Sequence, residues 1–175
     1  MHEAFRLGAS LYVPATHPKL LGALTGHHFP GVRSLIACTE DSLSDDDLAA
    51  GLDALAALLP RLPGRQVGPL RFIRPRNAQV LAELLAMPGI DRVHGFVIPK
   101  ADQSTFGAYD ALLGPRDFWV MPTLETCAVF DPTDLADLRR LFQSCATQRH
   151  ILALRIGGND LLRMLGLKRS RGVTL

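Results

Sequence analysis

The sequence predicts an α/β protein built on a parallel sheet, in one domain of six β-α units. Short apolar runs bounded by turn residues alternate six times with stretches of helical periodicity. The apolar runs lack the two-residue alternation of a half-exposed strand, which is expected when helices cover a parallel sheet. No linker, low-complexity segment or change of composition interrupts residues 1–175, so we expect a single domain.

The first two units are bounded by proline, glycine and capping residues. Residues 10–14 form an apolar run that ends in proline, and a short helical pattern at 18–25 stops at Gly26, a position typical of a C-cap glycine. Residues 32–38 are the second predicted strand. Ser44 is the predicted N-cap of a long helix that extends to about residue 59, and three aspartates follow it where the helix dipole favours negative charge.

The other four units follow the same plan. Asn77 and Asp131 precede helical patterns in the position of N-caps. The predicted strands cover 70–74, 93–98, 118–124 and 151–156. The predicted helices cover 78–87, 104–113 and 131–145, and the last one begins around Asp160. Periodicity alone leaves two architectures open, an open doubly wound sheet and a barrel, and a complete (β/α)8 barrel normally needs about 250 residues.

Composition excludes several classes of protein. The net charge of +2 is too small to indicate nucleic-acid binding, and the basic cluster at 168–171 is interpreted as a solvated surface. No run is long enough for a membrane span, and the N-terminus lacks a signal-peptide pattern. Three widely spaced cysteines, which form no metal-binding pattern, indicate reduced thiols. We therefore expect a cytoplasmic protein. No strand is followed by a Gly-x-Gly-x-x-Gly or P-loop motif.

Two carboxylates follow predicted strands at the edge where α/β proteins place their sites. The apolar run 151–156 stops at a Gly-Gly pair, which places Asp160 beside the first turn of the next helix. Glu125 follows the run 118–124 in the same way. We predict that Glu125 and Asp160 share one divalent cation. The alternatives are that Glu125 is a solvated loop residue and that Asp160 only caps its helix.

Taken in order, the strand-end motifs resemble those of the citrate lyase β-subunit-like branch of the HpcH/HpaI aldolase family. They are Tyr12-Val-Pro-Ala-Thr, Thr39-Glu-Asp, Ile73-Arg-Pro-Arg-Asn, Ile98-Pro-Lys, Pro122-Thr-Leu-Glu-Thr and Gly157-Gly-Asn-Asp. The resemblance implies a (β/α)8 TIM barrel and a Mg²⁺-dependent carbon–carbon lyase or aldolase. The implied substrates are small oxo-acids or β-hydroxy acids, or thioesters of coenzyme A or acyl carrier protein.

The resemblance also implies roles for the strand-end residues. Glu125 and Asp160 correspond to the metal ligands, and Arg74 corresponds to the arginine that binds the substrate carboxylate, with Arg76 as a rival. Glu40 and Asp41 correspond to a pair that orients water or takes up a proton, although either could instead cap the helix that follows. Lys100 is a candidate for substrate binding or for a structural contact, and the metal removes the need for a Schiff base.

The chain departs from the family pattern because it has six β-α units where eight are expected. We therefore expect a TIM-type domain at 1–175 that lacks the last two units. Open strand edges favour a homo-oligomer. The alternative to an enzyme is a truncated non-catalytic relative that binds a small oxo-acid or a partner subunit.

Overall fold

The computed structural model describes residues 3–114 and 116–168 and contains six strands and six helices in strict alternation. The strands are β1 (Ser10–Pro14), β2 (Ser34–Cys38), β3 (Leu70–Arg74), β4 (Gly95–Ile98), β5 (Trp119–Leu124) and β6 (Arg155–Ile156). The helices are α1 (Leu20–Leu24), α2 (Leu48–Leu58), α3 (Ala78–Leu85), α4 (Phe106–Leu113), α5 (Pro132–Ser144) and α6 (Gly158–Met164). The six predicted β-α units are confirmed.

The strand order decides between the two architectures that periodicity left open. All neighbouring strands are parallel, and the sheet runs β1-β2-β3-β4-β5-β6, so each strand lies beside its predecessor in the chain. A doubly wound sheet would reverse direction at a switch point, whereas this order keeps every right-handed crossover on one face. The result is a curled half-barrel of the TIM type, which confirms the predicted fold class.

The two faces of the sheet bury different sets of side chains. The outer face packs against the helices and forms the larger core, with strand residues such as Leu35, Phe96 and Val120. The inner face buries a smaller apolar layer, centred on Ile36, Phe72, Val97, Met121 and Leu152. The inner layer closes the floor of the half-barrel, so the polar residues beyond it collect at the carboxyl ends of the strands.

The predicted caps are mostly confirmed. The side chain of Asn77 accepts a hydrogen bond from the Val80 amide (2.9 Å), and Asp131 accepts from the amides of the first turn of α5. Gly26 follows α1 in the left-handed conformation (φ 84°), as a C-cap glycine should. Ser44 was predicted to start α2, but α2 begins at Leu48. The Ser44 hydroxyl instead accepts from the Asp47 amide and closes the turn that precedes the helix.

The last strand is shorter than predicted, because the ladder between β5 and β6 is interrupted. Val120 forms an isolated bridge with Ile151, and regular pairing resumes only at Thr123 with Arg155. The two paired positions are three residues apart on β5 and four residues apart on the partner segment, so the partner segment has one extra residue. Pro122 lies in this interval and has no N–H to donate, which accounts for the break.

The structure also bears on the sequence predictions about membrane spans, cysteines and the basic cluster. No helix among the described residues has the length and apolar character needed to cross a membrane. The three cysteines, Cys38, Cys127 and Cys145, are unpaired. Of the basic cluster predicted to be a solvated surface, Lys168 is exposed, and residues 169–171 lie outside the described residues.

Candidate active site at the carboxyl ends of the strands

The carboxyl ends of the strands surround a cavity of about 710 Å³. Its lining comes from β1, β2, β3, β5, β6 and the start of α6, and it includes Asp41, Arg74, Glu125 and Asp160. These four were predicted as site residues, and the fold brings them to one cavity because parallel strands end at the same edge.

Arg74 lies at the centre of the charged cluster. Its Nη2 is 2.7 Å from Glu40 Oε2, 2.7 Å from Glu125 Oε1 and 3.3 Å from Asp41 Oδ2. Burial alone would lower the pKa of Arg74, but the charges of Glu125 and Glu40 outweigh burial and raise it. The Nε of Arg74 is buried and has no hydrogen-bond partner in 3–114 and 116–168, so one donor of this guanidinium is still available.

Glu125 is held from two sides at the end of β5. Its Oε1 accepts hydrogen bonds from the Lys100 amide (2.8 Å) and from Arg74, and its side chain is 2% exposed. Burial raises the pKa of Glu125, the Lys100 amide and Arg74 oppose that rise, and the charges of Glu40 and Asp160 add to it. Because the neighbouring carboxylates repel its charge, a cation beside Glu125 would stabilise the ionised form.

Lys100 contributes both its backbone and its side chain. It has φ 46°, a left-handed conformation that is rare outside glycine, and its amide donates to Glu125. Its Nζ lies 2.5 Å from Glu40 Oε1, and this hydrogen bond is the first cause of the raised pKa of Lys100. A raised pKa keeps the amine protonated, which suits an ion pair and disfavours a Schiff-base role.

Asp160 reaches the cavity from the first turn of α6. Its Oδ1 pairs with Arg163 Nη1 at 3.1 Å. Gly157 lies between the two predicted metal ligands, where a Cβ would stand 2.2 Å from Glu125 Oε2 and 2.4 Å from Glu125 Cβ. Only a glycine leaves room for the Glu125 side chain there, so the Gly-Gly pair that ends the last strand also shapes the site.

The residues of the cavity fit a magnesium ion. Glu125 Oε2 accepts no hydrogen bond from any described residue, although Oε1 accepts two, so one carboxylate oxygen is free to coordinate. Within 3–114 and 116–168, no group of three or more His, Cys, Asp or Glu side chains is arranged as a metal site. Mg²⁺ is commonly bound by one or two carboxylates, with water and substrate oxygens completing the octahedron. Glu125 and Asp160 supply that number.

Arg76, the rival to Arg74, lies outside the cavity lining. Its guanidinium donates to the Thr39, Leu43 and Ser44 carbonyls and pairs with Asp45. Arg76 therefore fixes the loop after β2 that carries Glu40 and Asp41. Of the two arginines, Arg74 is the one that faces the cavity.

The residues that line the cavity without a predicted role include Tyr12, Thr123 and Arg155. The guanidinium carbons of Arg74 and Arg155 lie 5.9 Å and 5.3 Å from the Tyr12 ring centroid. Thr123 is 2% exposed, and no described residue forms a hydrogen bond with its hydroxyl. A single arginine inside the apolar run 151–156 was the signal that could have identified Arg155.

A family model describing carbon–carbon bond lyases of the TIM-barrel fold matches residues 1–175. The chain belongs to this family of carbon–carbon bond lyases. No curated protein matches the chain. The family confirms the expected kinship with citrate lyase β-type proteins at the level of the fold and the broad reaction class.

Solved structures of two kinds of enzyme share the fold of this family member. One is the Haloferax volcanii malate synthase in a complex with magnesium and glyoxylate, at a TM-score of 0.71 and 13% identity over 91% of this chain and 54% of that one. Another is a citrate lyase β subunit from M. tuberculosis with oxaloacetate and magnesium. Its TM-score is 0.58, with 20% identity over 93% of this chain and 63% of that one. A third is the M. tuberculosis protein CitE with magnesium and acetoacetate. Its TM-score is 0.62, with 20% identity over 98% of this chain and 62% of that one.

The family member described here spans about 54 to 63% of the length of these relatives. At such low identity the likeness concerns the fold. It agrees with the half-barrel seen in the strand order.

Proposed function

We propose that this protein is a Mg²⁺-dependent carbon–carbon lyase or aldolase that acts on a β-hydroxy acid or on its coenzyme A or acyl-carrier-protein thioester. The observation that carries the proposal is that Glu125, at the end of β5, and Asp160, in the first turn of α6, line one cavity with a buried arginine. Family membership supports the reaction class. The magnesium complexes of the malate synthase and of the citrate lyase β subunit support the choice of metal.

In this proposal Glu125 and Asp160 hold the metal. Mg²⁺ bound there would act as a Lewis acid toward the carbonyl group of the substrate. The Lys100 amide and Arg74 keep Glu125 Oε1 in place and leave Oε2 for coordination. Gly157 keeps the space that this orientation requires.

The remaining charged residues position the substrate and move its proton. The unpartnered Nε of Arg74 donates to a substrate carboxylate and fixes the reacting geometry. Lys100 and Arg74 hold Glu40 by one oxygen each, and Asp41 lies beside it. In the cleavage direction Glu40 or Asp41 takes the proton of the β-hydroxyl group while the carbon–carbon bond breaks and its electron pair passes to the enolate.

Exchange of protons next to a carbonyl group tests this chemistry without knowledge of the natural acyl group. Pyruvate and acetyl coenzyme A in D₂O should exchange their methyl protons in the presence of protein and Mg²⁺, as followed by NMR. Glu125→Gln and Asp160→Asn should lower the exchange rate by about 100-fold or more, because the Lewis acid is lost. Arg139→Gln removes an exposed charge outside this cavity and should exchange like the wild type.

Unchanged exchange in both carboxylate variants, with circular dichroism showing intact folding, would contradict the proposal. Mg²⁺-dependent binding of pyruvate without exchange would favour the alternative, a non-catalytic relative that binds an oxo-acid or a partner subunit.

Self-association is part of the same proposal. Exposed apolar side chains occur on β6 and in the segments before and after it, among them Leu154, Ile156 and Leu165. Such a surface on a soluble domain is typical of an interface. The cytoplasmic location and the reduced state of the thiols stay predictions from sequence.

A further inference from the structure

Arg155 differs from Arg74, the other cation that lines the cavity, and from Lys100 nearby, because it pairs with no carboxylate of the described residues. Arg74 has three carboxylates within 4.0 Å, and Lys100 has two. No carboxylate of the described residues lies within that distance of the Arg155 guanidinium; its one hydrogen bond is a long one, from Nη1 to Ser10 Oγ at 3.4 Å. Arg155 is therefore a positive charge in the cavity that forms no ion pair with the described residues.

The surroundings of Arg155 hold the guanidinium while leaving its donors free. The guanidinium carbon of Arg155, Cζ, lies 5.3 Å from the centroid of the Tyr12 ring, within the range of a cation–π contact. Such a contact uses the charge of the guanidinium and does not consume its N–H groups, which stay available to a planar anion. The contact to Ser10, the first residue of β1, shows that the side chain extends from β6 across the inner face of the half-barrel.

An unpartnered hydroxyl accompanies this free charge. Thr123 is the direct neighbour of Arg155 in the register between β5 and β6, and both residues line the cavity. Thr123 is 2% exposed, and its Oγ1 has no hydrogen-bond partner among the residues that the structure describes. A buried hydroxyl without a partner is unfavourable, so an acceptor atom placed there by a ligand would be stabilised.

We propose that Arg155 and Thr123 form a carboxylate-binding subsite, separate from Arg74, that anchors a second acidic group of the substrate. One guanidinium and one hydroxyl match the two oxygens of a carboxylate. The three carboxylates around Arg74 repel an anion in the absence of metal, whereas no described carboxylate lies within 4.0 Å of the Arg155 guanidinium. The inference rests on the proposed function only in placing the substrate in this cavity.

The subsite is tested without metal, so its failure is distinguishable from failure of the lyase proposal. Succinate is titrated into the ¹⁵N-labelled protein in EDTA, and the arginine Nε–Hε signals are followed by NMR. The Arg155 signal, assigned from its absence in Arg155→Gln, should shift in a saturable way. Because charge-assisted hydrogen bonds are lost, Arg155→Gln should bind succinate about tenfold more weakly or worse.

The hydroxyl is tested by a matched pair of variants at the neighbouring position. Thr123→Val keeps the shape of the side chain and should weaken succinate binding several-fold, whereas Thr123→Ser keeps the hydroxyl and should bind like the wild type. Thr123→Val also serves if Arg155→Gln does not fold, because it removes only an unpartnered group. Arg139→Gln controls for loss of one positive charge outside this cavity and should bind succinate in EDTA like the wild type.

Three outcomes would overturn the subsite. The first is equal succinate affinity in wild type, Arg155→Gln and Thr123→Val. The second is a shift of the Arg74 signal with none at Arg155. The third is binding of inorganic phosphate in preference to succinate, which would make this a phosphate site. If any of these occurs while Glu125→Gln and Asp160→Asn abolish proton exchange, the subsite is wrong and the lyase proposal stands.

Discussion

At the scale of single residues, Gly157 is the position where one methyl group should separate metal binding from folding. Its backbone (φ −83°, ψ 71°) does not require glycine, but an added Cβ would overlap the Glu125 carboxylate. We expect Gly157→Ala to turn Glu125 away and to weaken Mg²⁺ binding by about 10- to 100-fold, the usual effect of disturbing a group that orients a ligand. Isothermal calorimetry with Mg²⁺ measures the loss.

Gly107 provides the matched control, because a Cβ there meets no atom within 4 Å. It lies in α4, away from the cavity lining, so Gly107→Ala should bind Mg²⁺ like the wild type and gain about 0.5–1 kcal/mol of stability. If both alanine variants bind Mg²⁺ equally well, Gly157 does not position Glu125.

The same scale shows what sequence reasoning could and could not identify in the site. Glu125 and Asp160 follow apolar runs and Arg74 is the last residue of one, so the sequence alone could place all three at strand ends. Arg155 and Thr123 lie inside strand-like runs, where burial in a core is the usual fate of a side chain. They line the cavity because the sheet curls. This curl is a tertiary property, which the hydrophobic periodicity of the sequence does not reveal.

At the scale of elements, the strand ends opposite the cavity are joined by polar groups of β3 and the segment before β4. Arg71 is 0% exposed, and its guanidinium donates to the Pro63, Gly64, Val67 and Arg92 carbonyls. His94 Nδ1 accepts from the Arg71 amide at 3.0 Å, and Nε2 lies 3.0 Å from the Arg65 carbonyl oxygen. These bonds require a neutral imidazole with its proton on Nε2.

This arrangement predicts a loss of stability in weak acid. Burial first, and then the charge of Arg71, lower the pKa of His94 to about 4, from an ordinary value of 6.5. Below pH 6.5 the unfolded chain therefore takes up a proton that the folded chain refuses until about pH 4, so the free energy of unfolding falls with pH. Between pH 7 and 5 we expect His94 to account for a loss of about 1–2 kcal/mol.

Urea unfolding at pH 7, 6 and 5 measures this dependence. His94→Asn keeps an acceptor for the Arg71 amide but has no proton to gain, so it should be less stable at pH 7 and show a flatter profile. His28 is exposed, and His28→Asn should keep the slope of the wild type. An equally steep fall in His94→Asn would show that another group causes it.

The hydrophobic pattern of the sequence predicted the order of strands and helices along the chain. It did not predict how the strands pair in the sheet. The alternation of apolar runs and amphipathic stretches predicted all six β-α units, because burial of each face imposes its own period. The break opposite Pro122 was not predicted, since a missing N–H matters only once the partner of that strand is known. The sequential strand order, which makes the sheet curl, is likewise a property of the assembled sheet.

At the scale of the whole molecule, the β6 edge of the half-barrel combines an open strand edge with exposed apolar side chains. Within the described residues β6 pairs with β5 alone, which leaves one side of β6 without a partner strand. Beside it, an apolar cavity of about 390 Å³ is lined by residues that include Leu124, Leu138 and Phe142. Leu135 and Leu154, which line the same cavity, are 39% and 50% exposed. An unpaired strand edge next to exposed leucines promotes association between chains.

We expect this chain to form oligomers at micromolar concentration through the surface that contains Leu135 and Leu154. Leu154→Lys places a charge that would be buried in such an interface, and it should shift the protein toward monomer in sedimentation-velocity experiments. Val67, which is 60% exposed but does not line that cavity, supplies the control, and Val67→Lys should sediment like the wild type. A wild-type chain that stays monomeric at tens of micromolar would contradict the expectation, since both the exposed leucines and the open edge of β6 favour association.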